Sequence, residues 1–540
     1  MRTPDQNPLT DRKTLIAIAV VIVFMVAWQH YMTTKYPPAA HTQTPIAAPA
    51  QDPRAVSNPA EPNLNAVPRA EADVKNTAVM KPEELLTYED DRIRFTLSSH
   101  GMGLKEYIVK DYKQTDGEPI RLGFSPLASL FEVRWVDSSR PLVFEVRQTA
   151  EGRFEGVARE SGMVFRRELF YDAGNRSFQS ALKVDGVNAE ISRGLGVMVP
   201  DTIHVAQNSS IFFPSYDHQD FFVSHGGKTE SVNFNHAKEN IRRDFTAASL
   251  VSVGNQYFTS VVLDQSEIAP DVVLTADLNQ KTALAELIYK PLKTAGELAF
   301  HQVFYAGPKS IDVLKKINPA MENVIDFGYL AVIAKPLLYV MKWFHSMIPN
   351  WGVAIILLTL LVRFAVLPFN LMSMRSMKAM QKIQPHINQL RERHKEDPMT
   401  LNREMMALMK EHKANPLGGC LPMLIQIPIF FALFRVIGSS VELYQSPFAF
   451  WIHDLSLHDP FYVLPVLMGV TMYLQQKLTP TTMDPAQAKI MQFLPLVFTV
   501  FMLQLPSGLT LYMVVSSVFG IIQQYFILKD SKALVPAKTK

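Results

Sequence analysis

The chain has 540 residues and one cysteine, Cys420, so no disulfide can join two parts of it. An exported domain must therefore be held by its own apolar core, which roughly 230 residues can supply. Charge is also scarce: Asp, Glu, Lys and Arg make up 19% of the chain, against ~25% in ordinary soluble proteins. A net charge of +3 is too small to argue for nucleic acid. No G-x-x-x-x-G-K-[ST] run occurs, and Ala306-Gly307-Pro308-Lys309-Ser310 is not a phosphate loop, so no ATP site is expected. His204, His218, His225 and His236 are scattered without ligand spacing. His453-Asp454 and His458-Asp459 pair up, but Phe450 and Trp451 beside them read as an interfacial segment. No metal, cofactor or catalytic group is expected, and the chain does not read as an enzyme.

What is present is a sharp partition. Arg12 and Lys13 precede an apolar run from Leu15 to Trp28. No small-residue cleavage site follows, so 14–32 is expected to be an uncleaved anchor with 1–13 in the cytoplasm. Residues 33–84 form a Pro/Ala-rich linker, with nine prolines between 36 and 82; such a composition builds no core. From 85 to 320 the period becomes two: Ile93, Phe95 and Leu97 alternate with polar residues, as do Leu142, Phe144 and Val146, then Phe178, Ser180, Leu182 and Val184. That pattern predicts an antiparallel β-sandwich. Residues 321–349 turn helical, with Lys335 and Lys342 among aromatics and a kink at Pro336, as an amphipathic helix in the membrane interface requires.

The remainder reads as spans. They are expected at 350–370, 417–438, 461–477, 490–505 and 509–528, separated by a helical hairpin at 371–416 and loops at 439–460 and 478–489, with a tail at 529–540. Residues 371–417 carry nine Lys/Arg against five Asp/Glu, and the tail carries four lysines, whereas 439–460 has neither Lys nor Arg. The positive-inside rule puts the first two in the cytoplasm and the last outside, with both termini inside. The fold class is a polytopic α-helical membrane protein of six spans, carrying an all-β exported sandwich domain. The fourth and fifth spans are short, at ~16 residues or roughly 24 Å, which favours local thinning of the bilayer.

Arg363 is the charge that stands out. It lies 12 residues after Trp351, ~18 Å along a helix, where an unpaired charge costs ~2.5–3.5 kcal/mol. Two readings stand: the long stem snorkels to the nearby interface, or the guanidinium faces a wet cavity open to the cytoplasm. Thr359 shares its face at i−4. Gln426, Gln504, Thr510, Ser516, Ser517 and Gln523 are candidates to line the same cavity, or each simply packs helices. Arg435, near the outer end of its span, reads as snorkelling. The interiors of the five spans hold no Asp, Glu or His, which excludes carboxylate proton relays and intramembrane aspartyl or zinc proteolysis.

The run Asn415-Pro416-Leu417-Gly418-Gly419-Cys420-Leu421-Pro422-Met423-Leu424-Ile425-Gln426-Ile427-Pro428-Ile429-Phe430 resembles the third-span signature of the bacterial YidC membrane protein insertases. Phe448–Leu455, Leu464–Thr471 and Pro506-Ser507-Gly508-Leu509 with Tyr512 are similar to that family's outer loop, fourth span and last span. The resemblance covers the C-terminal ~200 residues closely and the rest in order and size. It implies a cytoplasm-open hydrophilic groove with one arginine, here Arg363, lined by Thr359 and Gln426. It implies a client contact around Ile427 and Pro428 and a β-supersandwich periplasmic domain that touches the Sec translocon (SecYEG, SecDF). Relatives carry a second tyrosine where this chain has Met513, which weakens a tyrosine-based client contact.

The expected function is thus an inner-membrane insertase and chaperone. It would move client segments from the cytoplasm into the membrane through a groove formed by Arg363, Thr359, Gln426, Ile427, Pro428, Gln504, Tyr512, Met513 and Ser516. Clients, the Sec translocon and membrane lipids are the expected partners. A ribosome contact would use the cytoplasmic hairpin and tail. The rivals are a small-anion transporter or channel using Arg363, and a membrane-anchored enzyme acting through the sandwich.

Overall fold

The computed structural model describes residues 82–114, 117–137, 140–187, 194–204, 218–290, 296–394, 397–412, 421–478 and 485–533. The anchor expected at 14–32, the linker up to 81, the tail from 534 and Asn415–Cys420 of the third-span signature lie outside the described residues.

Alternating apolar residues build the β domain. Its strands are β1 (Leu85–Glu89), β2 (Ile93–Ser98), β3 (Leu104–Lys113), β4 (Pro119–Arg121), β5 (Val133–Trp135), β6 (Glu145–Ala150), β7 (Arg153–Glu160), β8 (Met163–Asp172) and β9 (Ser177–Val187). They continue as β10 (Leu195–Thr202), β11 (Gln219–His225), β12 (Lys228–Asn233), β13 (Ile241–Phe245), β14 (Ala248–Asn255), β15 (Phe258–Asp264), β16 (Asp271–Asp277), β17 (Thr282–Tyr289) and β18 (Gly296–Pro308). A nine-stranded antiparallel sheet, ordered β12-β11-β14-β15-β18-β9-β8-β7-β6, is the main layer. A four-stranded sheet β1-β2-β3-β4 and a five-stranded sheet β13-β16-β17-β10-β5 complete the sandwich. Ile93, Phe95, Leu97, Phe178, Leu182 and Val184 are all buried in the shared core. Phe95 of β2 meets Phe178 of β9 edge-on at 5.2 Å, and Trp135 of β5 meets Phe165 of β8 at 5.6 Å. Each small sheet therefore packs on the large one through aromatic pairs.

A cation lies deep within this core. Arg167 on β8 is only 1% exposed. Its Nη1 donates to the carbonyls of Gly101, Met102 and Phe131 at 2.7, 3.2 and 3.0 Å, and its plane covers Phe304 at 5.5 Å. Burial pulls its pKa down to about 9. The guanidinium ties loops of the small sheets to the large sheet through those carbonyls, its Nε donates to the Ser180 hydroxyl at 3.3 Å, and its buried Nη2 has no partner among the described residues.

Beyond the sheets come eight helices among the described residues: α1 (Ile311–Ile317), α2 (Ala331–Met347), α3 (Trp351–Arg393), α4 (Pro398–Glu411), α5 (Leu421–Ser439), α6 (Val463–Leu478), α7 (Pro485–Met502) and α8 (Ser507–Ala533). The expected helix at 321–349 is corrected: two 3₁₀ turns, Pro319–Val324 and Gly328–Leu330, precede α2. Lys335 and Lys342 do not stand free in it. Lys335 pairs with Glu322 at 2.6 Å, and Lys342 bridges Asp312 at 2.8 Å and Glu442 at 2.7 Å. Pro336 lies inside the helix.

The segment expected as a span at 350–370 and the first arm of the hairpin expected after it join in one helix, which continues through Pro368 and Pro385 for 43 residues. Hydropathy falls after residue 370 while the helix persists. Then α4 folds back, and Met380, Ile383 and Ile387 pack with Met405, Leu408 and Met409. Other boundaries shift: α7 ends at Met502 and α8 begins at Ser507. Among the described residues, two helices are long and apolar enough to cross a membrane, within Trp351–Arg393 and Ser507–Phe526; Ile425–Ser439 and Gln492–Met502 are shorter apolar helices.

The loop after α5 is bound to the β domain. The Tyr444 hydroxyl donates to the Lys113 carbonyl at 2.7 Å, and Gln445 both donates to that carbonyl at 2.8 Å and accepts from the Lys113 amide at 3.1 Å. The Tyr444 ring lies 4.9 Å from Tyr257 and 5.5 Å from Phe258. Gln256 donates to the Gly438 carbonyl at the end of α5.

Candidate functional site

Asn350 starts α3 by accepting from the Val353 amide at 3.0 Å. Three turns on, the helix presents Arg363. Opposite runs α8, whose residues Tyr512 and Ser516 recur at i and i+4 and so share one face. Arg363 is half-buried, and its Nε donates to the Ser516 hydroxyl at 2.8 Å, with Nη2 on the same oxygen. One turn back along α8, the buried Tyr512 hydroxyl accepts from Gln426 Nε2 on α5 at 2.6 Å. The buried Ser516 lies within hydrogen-bonding range of Tyr512 as well. Three helices thus converge on one polar cluster of Arg363, Ser516, Tyr512 and Gln426. Among the described residues no carboxylate pairs with Arg363. The cluster offers a cation and neutral hydrogen-bonding groups, an arrangement that can attract an acidic or polar group.

The other expected site residues fall differently. Thr359 is fully buried and donates to the Ile355 carbonyl one turn back at 2.6 Å, so its hydroxyl is consumed by its own helix. Gln504 is exposed in the segment between α7 and α8. Ile427 is exposed and Pro428 half-buried on α5. Met513 is half-buried against the apolar core of the bundle. Arg435 is exposed, and the Thr510 hydroxyl donates to the Pro506 carbonyl.

Sequence reasoning did not single out the buried polar residues further along α3. Asn370 and Ser373 lie buried on α3 at i+7 and i+10 from Arg363, the spacing of one helical face. On α8 the stripe passes Gly520, where an added Cβ would come within 2.5 Å of Gln475 Nε2 from α6. Glycine leaves the room in which that amide sits.

The loop after α5 is built by its carboxylates. Asp459, 1% exposed, accepts from Trp451 Nε1 at 2.9 Å and from the amides of Phe461 and Leu464 at 3.0 and 2.7 Å. Its donors explain its burial, and among the described residues no cluster of metal-ligating side chains occurs.

Comparison with known proteins matches both halves of the chain. The profile of the family described as 60Kd inner membrane protein matches residues 343–533, and that described as YidC periplasmic domain matches residues 85–340. A protein named membrane protein insertase YidC from Magnetococcus marinus is 34% identical over 561 residues, covering 96% of this chain and 99% of its own. One of the same name from Geobacter sulfurreducens is 47% identical over 277 residues, covering 51% and 52%. One from Campylobacter jejuni is 30% identical over 545 residues, covering 97% of each. A solved structure described as an active YidC insertase with its first transmembrane domain resolved aligns at 19% identity and a TM-score of 0.37, over 83% of this chain and 93% of that one.

Proposed function

Because the chain belongs to the YidC family of membrane protein insertases, we propose that its polar cluster around Arg363 is the point at which a client segment enters the membrane. The protein is a non-enzymatic insertase of the inner membrane with a periplasmic domain. The cluster holds a half-buried arginine whose neighbours are a serine, a tyrosine and a glutamine, and this observation carries the reading. In a low-dielectric bundle such a cation attracts the acidic or polar residues of a client's leading tail. The tail would rest in the groove while the client's apolar helix partitions into lipid along the exposed face of α5, at Ile427 and Pro428, and along α7.

Two features lower the barrier. The helix α6 spans 16 residues, roughly 24 Å, against a hydrocarbon layer of ~30 Å, which favours a thin bilayer beside the groove. The polar residues shorten the apolar path further. We place the hairpin of α3 and α4 and both termini in the cytoplasm, from their lysines and arginines. Contact between Tyr444 and the β domain supports placing the 439–460 loop on the periplasmic side. The six-span count, cooperation with the Sec translocon and a ribosome contact through the hairpin and tail belong to this reading.

Reconstitution tests it. The purified chain in liposomes, given a freshly synthesised small client, should protect that client's membrane segment from protease, whereas empty liposomes should not. Saturable anion flux with no client protection would favour the transporter reading instead.

A further inference from the structure

The loop at 439–460 ends in a tight turn whose apex is Phe450. The Phe448 amide donates to the Ile452 carbonyl at 3.0 Å, and the Ile452 amide donates to the Ala449 carbonyl at 3.1 Å. Phe450 takes a φ of 55° and is 88% exposed. Both facts are unfavourable in water. A bulky side chain enters the left-handed region at a cost, where glycine or asparagine would enter cheaply, and a phenyl ring left in solvent forgoes the gain of burial.

The turn cannot relax to hide the ring, because its base is fixed on three sides. Asn350 donates to the Phe448 carbonyl at 2.9 Å. Ser507 at the start of α8 donates to the Asp454 carbonyl at 2.9 Å. Trp451 is held by Asp459 at 2.9 Å. A strained residue at such a place points to a contact outside the chain.

We infer that Phe450 is a lipid anchor, a ring held out to enter the outer-leaflet boundary between headgroups and acyl chains. Position argues for lipid over a protein partner. The turn is tied to the first residues of α3 and α8, and α6 begins at Val463 just after it, so it lies where helices leave the hydrocarbon. Phe461 and Tyr462, ahead of α6, are also exposed, at 68% and 43%, and no lysine or arginine interrupts 439–460. Aromatic residues at that level are the usual anchors of a bilayer boundary. Since Tyr444 and Gln445 fasten the same loop to the periplasmic domain, the anchor sets the height of that domain above the membrane.

The test uses the full chain in proteoliposomes of phosphatidylethanolamine and phosphatidylglycerol. Phe450→Cys in a Cys420→Ser background is labelled with an environment-sensitive fluorophore. Nitroxide lipids labelled near the headgroup should quench it several-fold more than lipids labelled near the chain terminus, and aqueous iodide should quench it weakly. Should that variant fail to fold, Phe461→Cys carries the same label and should give the same ordering. Strong iodide quenching, or protection that appears only when a second protein or more copies of this chain are added, would overturn the lipid assignment.

Discussion

The Arg363 guanidinium and the Ser516 hydroxyl, 153 residues apart in the chain, meet at 2.8 Å across the α3–α8 contact. Whether water reaches this pair decides how the site works. In a dry contact, Ser516→Val strips a charged donor of its acceptor and costs ~1.5–3 kcal/mol. In a wet groove, water takes the place of the hydroxyl. The expected outcome is an unfolding midpoint in detergent within about 2 °C of wild type, since 1 kcal/mol moves the midpoint by ~2–4 °C at this domain size. A fall well beyond that would mark the contact as dry.

Accessibility separates the two polar residues of the α3 face. Arg363→Cys in a Cys420→Ser background should react with a charged, membrane-impermeant thiol reagent added from the cytoplasmic side. Thr359→Cys, one turn back and fully buried, should react far more slowly. Equal protection of both positions would exclude the wet groove.

Gly352 in the first turn of α3 lies against the Phe448 ring. Glycine to alanine inside a helix ordinarily gains ~1 kcal/mol. Here the added methyl would overlap the ring, and overpacking costs ~1–3 kcal/mol, so Gly352→Ala should lower the unfolding midpoint. Adding Phe448→Leu should recover part of the loss, as a double-mutant cycle by thermal unfolding would show.

Burial pushes the Asp201 carboxyl in the β domain up to about 6, against the pull of the Thr202 amide and His204. A carboxyl raised above its unfolded value binds more protons folded than unfolded between pH ~4 and 6, so stability falls as pH rises through that window. Asp201→Asn should flatten this slope by a few degrees of midpoint, measured on the full chain at pH 4.5 and 6.5.

Much of this arrangement was legible in the sequence, for physical reasons. Ile93, Phe95 and Leu97 announce a sheet because a strand buries every second residue. Arg363 announces itself because a charge among apolar residues is costly anywhere. The bond partners of these groups were less legible. The periodicity of α8 put Ser516 on a polar face but could not say that Arg363 would take its hydroxyl. Thr359 shares the face of Arg363, yet its hydroxyl turns back to Ile355. Contacts such as Tyr444 with Lys113 join residues so far apart that no local pattern encodes them.

The most direct measurement is insertion by Arg363 variants, read by protease protection of single-span clients that differ only in the charge of the leading tail. With an acidic tail, Arg363→Ala should slow insertion markedly and Arg363→Lys should retain much of the wild-type rate. With a neutral tail the three proteins should differ little. Equal insertion of the acidic-tailed client by the alanine variant and the wild type would contradict charge attraction in the groove.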